Sequence, residues 1–221
     1  MENKQKKPPR GNVKFDITLS EEQRIAKEQI LKHAFSFVIG KAGSGKTLLA
    51  VQTGLDMHFK RQYNKIVITR PTVGTEDNGF LPGSEKEKME PWLVPITSNI
   101  NKVYGKEDKI NKMIEAGDIE IVALTHFRGR TFDDAVVIVD EFQNLTKAQL
   151  SMALGRLGKD SIMIFCGDFQ QIDLPNRKNS AIHEISRILE SEYVYKVELK
   201  DNHRHPAVDD VLGILTKEAD E

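Results

Sequence analysis

One cysteine, Cys166, in a chain of 221 residues excludes an internal disulfide and a cysteine-based zinc site. It lies in the apolar run SIMIFC, where a free thiol reads as a small buried hydrophobe. No run of apolar residues approaches the roughly 20 that a membrane-spanning helix needs, so no membrane partner is expected. No excess of one charge is present either: the formal net charge is -1. The field of the whole protein therefore gives no argument for nucleic-acid binding, and such a site has to be local. The basic start, MENKQKKPPR, has no apolar stretch after it and is not a secretory signal. It reads as a flexible tail over residues 1–16, and the expected compartment is the cytoplasm. Repeats and low-complexity core segments are absent as well.

What is present is a hydrophobic content of 39% and a charged content of 29%, as in globular proteins. The length suits one domain, here 17–221, and is too short for two complete motor domains. Ser20 followed by Glu21, Glu22 and Gln23 fits a capping box, with a helix to about His33. Buried-strand candidates are Phe35 to Ile39, Lys65 to Thr69, Ile119 to Ala123, Ala135 to Asp140, Ser161 to Cys166 and Tyr193 to Leu199. Helical patterns lie between most of them: Lys46 to Lys60, Glu85 to Tyr104, Lys147 to Leu157 and Ser180 to Glu190. Near-continuous apolar strands alternating with helices predict an α/β fold, a mainly parallel sheet covered on both faces. The stretch around 71–117 is too long for a simple crossover and reads as a helical insertion over one sheet edge.

The segment Gly40-Lys41-Ala42-Gly43-Ser44-Gly45-Lys46-Thr47, with Leu48 after it, matches G-x-x-x-x-G-K-[ST] at every fixed position. It follows a strand and opens a helix. In such a P-loop, backbone N–H groups and the helix dipole face the phosphates, Lys46 reaches the β- and γ-phosphates, and the Thr47 hydroxyl ligates magnesium. A plain glycine turn would not need the Lys-Thr pair. A bare P-loop leaves kinases, GTPases and ATPases open. The second motif narrows them: AVVIVDEFQN puts Asp140 and Glu141 at the end of a buried strand, the rim where α/β sheets bind ligands. Asp140 suits magnesium, directly or through water, and Glu141 suits orienting and deprotonating an attacking water. The third is Gly167 to Pro175, in which the Gln171 amide is placed to sense the γ-phosphate; a polar loop without ligand contact is the alternative.

These motifs resemble the PhoH-like family. The resemblance is carried by Thr69-Arg70-Pro71, Gly79-Phe80-Leu81-Pro82-Gly83, Arg128-Gly129-Arg130-Thr131, Asp140-Glu141-Phe142-Gln143-Asn144, Gly167 to Pro175 and Arg204-His205-Pro206. It covers most of the chain. It implies a RecA-like P-loop ATPase related to the first motor domain of superfamily 1 helicases, using ATP and magnesium, in a bacterial cell or in a compact phage-encoded version. From those helicases, Gln23 is matched to an adenine-reading amide, although the capping box explains the same residue. Arg204 is matched to an arginine that contacts the γ-phosphate; a surface arginine in a salt bridge is the alternative. Arg70 and the stretch Thr125, His126, Phe127 and Arg128 fall where relatives touch single-stranded nucleic acid, with Phe127 offering a ring for base stacking. Packing and loop roles explain them equally. Departures from the family pattern are Phe142 where alanine is usual, Phe169-Gln170 in place of smaller residues, and Asn179-Ser180-Ala181-Ile182 in place of Ser-Gly-Leu.

The expected function is ATP hydrolysis coupled to RNA or single-stranded DNA. With one motor domain, a neighbouring subunit is expected to close the site, giving a homo-oligomeric ring such as a hexamer. The alternatives are a nucleotide-dependent switch with negligible turnover, which has little need of Glu141, and a P-loop kinase, against which Gln171 and Arg204 speak.

Overall fold

Strand residues in this chain fall alternately into two separate apolar clusters, which is how a sheet buried on both faces is recognised. Val38, Ile66, Ile68, Val136, Ile138, Ile164 and Cys166 belong to one cluster. Phe37, Ile39, Val67, Val137, Val139, Met163 and Phe165 belong to the other. Successive side chains of a strand point to opposite faces, so the sheet lies between the clusters. The structure, a computed structural model, describes residues 14–71, 96–105 and 107–203, together with 205, 207, 208, 210, 211 and 214.

Six strands form one sheet in the order β3-β2-β4-β5-β1-β6. They are β1 (Phe35–Gly40), β2 (Lys65–Thr69), β3 (Ile119–Ile121), β4 (Ala135–Val139), β5 (Ile162–Gly167) and β6 (Val194–Leu199). Every pairing is parallel, from Ile66↔Ile119 at one edge to Phe35↔Val194 at the other. All six predicted strands are present, with β3 stopping at Ile121 rather than Ala123.

The first face is covered by α1 (Glu21–Ile30), α2 (Lys46–Phe59), α3 (96–104) and α4 (Glu107–Glu115), through residues such as Ala26, Leu49, Leu55, Ile100 and Ile110. Phe15 packs against the same cluster, and the Asp16 N–H donates to the Val103 carbonyl at 3.1 Å. The second face carries α5 (Lys147–Leu154), α6 (Ile185–Ile188) and single helical turns. Helices on both faces of a parallel sheet give the α/β architecture that the sequence predicts.

Local signals explain the helix starts. The Ser20 hydroxyl accepts the Gln23 N–H at 3.3 Å while the Gln23 side chain accepts the Ser20 N–H at 3.1 Å, the reciprocal pair of a capping box. Thr146 and Gln149 repeat the device at α5. α2 begins differently: Gly45, its N-cap, has φ 82 and ψ 21, a left-handed conformation that glycine adopts without steric cost.

The helix predicted over Ser180 to Glu190 is a correction. It is broken into a turn over Ala181–Glu184 and the four-residue α6. Its start is pulled out of helical geometry because the Ser180 hydroxyl donates to the Gln143 carbonyl at 2.5 Å and the Ala181 N–H donates to the Leu145 carbonyl at 2.7 Å. Of the helix predicted over Glu85 to Tyr104, residues 96–104 are helical and the rest lies outside the described residues. Gly79 to Gly83 and the first thirteen residues also lie outside them. Among the described residues, no helix is long and apolar enough to cross a membrane.

Candidate functional site

β4, β5 and β1 are adjacent in the sheet, so the segments leaving their C-terminal ends meet on one rim. Those segments are Asp140–Glu141, the loop after Gly167 and the P-loop. The connection from β1 to β2 runs toward the β3 edge, whereas those from β4 to β5 and from β5 to β6 run toward the β6 edge, so neighbouring strands send the chain in opposite directions here. Such switch points leave a crevice at the strand ends, the usual ligand site of open α/β sheets.

The P-loop spans Gly40 to Thr47. The Lys46 ammonium donates to the Gly40 carbonyl at 2.7 Å and to the Lys41 carbonyl at 3.0 Å, so the loop folds back over its own lysine. A side chain at Gly40 would meet the Ser44 hydroxyl at 2.6 Å and the Leu199 carbonyl at 2.7 Å, leaving no space for one. Gly43, like Gly45, has positive φ. Lys41 is exposed, Ala42 half-buried and Ser44 buried. Leu48, half-buried, follows the loop in the first turn of α2 and packs its side chain against the first cluster.

The decisive distance joins residues 93 positions apart: the Thr47 hydroxyl donates to Asp140 Oδ1 at 2.8 Å. Asp140 is only 5% exposed, and its N–H donates to the Thr69 carbonyl at 2.8 Å. Burial, and secondarily the charge of Glu141, push the Asp140 carboxyl up to about 6, while the Thr47 hydroxyl and Arg70 pull it down. A hard oxygen pair of this kind fits magnesium, which binds through one or two protein oxygens and takes phosphate and water oxygens for the rest. Among the described residues, no group of three or more His, Cys, Asp or Glu is arranged to hold a metal ion.

Glu141 sits at φ 55 and ψ 41. A left-handed non-glycine residue costs on the order of 1 kcal/mol, and such strain concentrates at functional sites. The turn aims its carboxylate toward Gln143 Nε2, at 2.6 Å, and toward Arg70, at 4.0 Å. Arg70, predicted as a nucleic-acid contact, is thus brought to Glu141. Phe142 points the other way into the core, edge-on to Phe37 with centroids 5.3 Å apart. Its departure from alanine therefore fills the core and touches no ligand space. Ala181, at the glycine of the Ser-Gly-Leu pattern, is likewise buried, with its N–H on Leu145.

Gln171 is exposed on the loop after β5. That loop is pinned from below: the Asp168 N–H donates to Gln143 Oε1 at 3.1 Å, and the Gln171 carbonyl accepts from Gln143 Nε2 at 3.0 Å. Sequence alone does not single out Gln143, because its partners on this loop lie 25 and 28 positions away; its placement two residues after a strand-end carboxylate is the one local signal.

Gln23 lies against the P-loop, 2% exposed, but both ends of its amide are engaged. Its oxygen caps α1 and its nitrogen donates to the Ser44 carbonyl at 3.2 Å. The capping-box reading is the one its geometry displays, and the same residue braces the loop. The segment after β6 is anchored beside it. Glu22 accepts the Lys200 N–H at 3.0 Å and the Asp201 N–H at 3.3 Å, and the His203 N–H donates to the Gly43 carbonyl at 3.1 Å. Arg204, the next residue, lies outside the described residues.

Thr125, His126 and Arg128 are exposed around the helical turn that follows β3, at the same end of the sheet. Phe127 is a correction. It is fully buried, 4.7 Å from Phe132 between ring centroids, and offers no face to a base. Arg130 is occupied by Glu120 at 2.7 Å and by the Phe132 ring. Cys166 is buried beneath the P-loop, its thiol pushed well up by burial, as its sequence context predicts.

The family profile described as PhoH-like protein matches residues 17–216, nearly the whole chain. The chain belongs to the PhoH-like family. It is 41% identical over 186 residues to a PhoH-like protein of Bacillus subtilis, covering 82% of this chain and 58% of that protein. It is 38% identical over 211 residues to one from Synechocystis sp., covering 93% of this chain and 63% of the relative. This PhoH-like chain thus spans about three fifths of the length of these curated relatives. Among solved structures, the Pif1 helicase from Candida albicans matches with a TM-score of 0.50 at 20% identity, covering 90% of this chain and 44% of that one. At that identity the likeness establishes the fold alone, a RecA-like P-loop domain.

Proposed function

We propose that this PhoH-like chain binds ATP with magnesium and hydrolyses it, and that hydrolysis is coupled to RNA or single-stranded DNA. The observation that carries the reading is the Thr47 hydroxyl meeting the Asp140 carboxylate at 2.8 Å, with Lys46 and Glu141 each one residue away from that contact. A glycine turn or a solvated acidic turn would have no reason to bring these groups together.

On this reading, the Lys46 ammonium exchanges the Gly40 and Lys41 carbonyls for β- and γ-phosphate oxygens. Thr47 and Asp140 would hold magnesium, which would supply charge neutralisation for the phosphoryl group being transferred. Glu141 accepts a proton from the water whose oxygen attacks the γ-phosphorus. The bond from that phosphorus to the β-bridging oxygen breaks, releasing ADP and inorganic phosphate. Gln171 and Arg204 are assigned to the γ-phosphate side, Gln171 on the strength of its exposed place on the adjoining loop. The fold likeness to a helicase favours nucleic acid as the coupled partner over a small phosphoryl acceptor. Exposed His126 and Arg128 on the same rim offer phosphate contacts.

The test is phosphate release from ATP and magnesium, with no acceptor added, with and without single-stranded RNA or DNA over a salt series. Release is expected without an acceptor, with stimulation at low salt that fades as salt rises, because phosphate contacts lose affinity with counterion concentration. Turnover that needs a hydroxyl acceptor supports a kinase instead. Release that nucleic acid leaves unchanged at low salt removes the coupling.

A further inference from the structure

Gln143 has no exposed surface, yet it is a polar side chain at a position where leucine would fill similar space. Its amide is fully engaged. Nε2 donates to Glu141 Oε2 at 2.6 Å and to the Gln171 carbonyl at 3.0 Å, and Oε1 accepts the Asp168 N–H at 3.1 Å. A buried polar group is tolerated when its partners are all made, and here one planar amide makes them to two different segments. One is the strand end that carries Glu141. The other is the loop after β5 that carries Gln171. Asn144, the next residue, makes a second tie to that loop: its Nδ2 donates to Asp173 Oδ2 at 3.1 Å, and its Oδ1 accepts the Asp173 N–H at 2.8 Å.

We propose that Gln143 is a positioning residue that couples the Glu141 carboxylate to the loop over 168–171, so that displacement of either is transmitted to the other. The role assigned to Glu141 rests on the ATPase reading; the mechanical tie does not. Hydrogen bonds weaken steeply once their geometry is lost, so a carboxylate that shifts must draw the amide after it or lose it. The amide in turn holds Asp168 and Gln171 from below. Slack is absent on the opposite side as well. A Cβ at Gly167 would lie 2.6 Å from the Phe142 ring and 2.7 Å from Gln143 Oε1, so strand β5 presses directly on the tie. Close-packed interiors pass such displacements on instead of absorbing them. A contact made at the exposed loop is thereby reported to the group that faces the water.

The experiment uses the full chain, its Gln143→Glu and Gln143→Leu variants, and two readouts. One is kcat and KM for ATP. The other is backbone hydrogen exchange over 167–173 and over the P-loop, with and without a non-hydrolysable ATP analogue and magnesium. The parent is expected to show slower exchange in both segments when the analogue binds. Both variants are expected to keep the P-loop response and KM within about twofold of the parent while losing the 167–173 response, with kcat lowered at least about tenfold, less than the roughly hundredfold that a misplaced catalytic group can cost. Gly167→Ala, which crowds the amide without removing it, is expected to lose the same response. Gln143→Glu keeps the shape of the side chain and carries the test if Gln143→Leu does not fold. The proposal is overturned by a Gln143→Glu variant whose 167–173 response equals the parent's, by a parent loop that shows no response, or by kcat, binding and melting temperature falling together. A parent without turnover would defeat the ATPase reading and leave the exchange comparison to decide the coupling.

Discussion

Glu141→Gln is expected to bind ATP with the affinity of the parent and to lose at least about a hundredfold in kcat, the range removed with a general base. The amide has the size of the carboxylate and accepts the same hydrogen bond from Gln143, so the turn at residue 141 has no cause to rearrange. What it lacks is the capacity to take a proton. The Arg70 guanidinium, 4.0 Å away, loses a weak ion pair, and at that distance and partial exposure the loss has little effect on stability. Equilibrium binding and phosphate release, measured on the same preparation, check both halves. A variant that hydrolyses like the parent removes Glu141 from the mechanism and revives the switch and kinase alternatives.

Asp140→Asn is expected to do two opposite things: abolish magnesium-dependent turnover and stabilise the metal-free protein. The Asp140 carboxyl, ordinarily near 3.8, is raised to about 6 in the folded chain, chiefly because it is buried and then because Glu141 is beside it. Between those two values the folded state keeps a proton that the unfolded state gives up. Stability of the metal-free protein therefore falls as pH climbs through this window and stays lowered above it. That rise corresponds to roughly 3 kcal/mol. The amide carries no charge to bury and can still accept from Thr47, so the variant escapes that cost. At about 2 to 4 °C per kcal/mol for a chain of this size, its metal-free melting temperature above neutrality should exceed the parent's by several degrees. Its stability should also vary less between the two pH values. With ATP and magnesium the order should reverse, because only the parent gains from binding them. Thermal unfolding across pH, with and without ligand, decides it. A variant less stable than the parent in metal-free buffer at neutral pH would show that the carboxylate is not held at a cost.

Motifs whose chemistry is contiguous were readable from one dimension. Gly40 to Thr47 carries its own conformational demands, since Gly43 and Gly45 adopt positive φ and Lys46 is held by carbonyls five and six residues before it. The apolar runs announced strands because a strand buried on both faces has no polar side to show. Ser20 and Gln23 announced a helix start because a capping box closes within one turn.

Where tertiary packing decides a residue's role, the sequence alone misleads or is silent. Phe127 had the chemistry of a stacking ring, and only the packing of Phe132 against it removed the face it would have needed. The pattern from Ser180 onward was helical in spacing, but bonds to Gln143 and Leu145, more than thirty positions earlier, bent its start away. Gln143 passed as one letter of a motif. Two of its three amide bonds, to Asp168 and Gln171, are invisible until β4 and β5 are laid side by side.

By itself the amino-acid sequence determined which segments are strands, where the phosphate loop lies and which acidic residues end a buried strand. These follow from side-chain type and local backbone geometry. Tertiary structure alone decided the strand order β3-β2-β4-β5-β1-β6, and with it that the ends of β1, β4 and β5 open on the same rim. A parallel pairing makes its hydrogen bonds from the backbone, which every residue carries, so the choice of neighbour rests on how both faces pack together and is written in no single segment. That choice brought the Thr47 hydroxyl to Asp140.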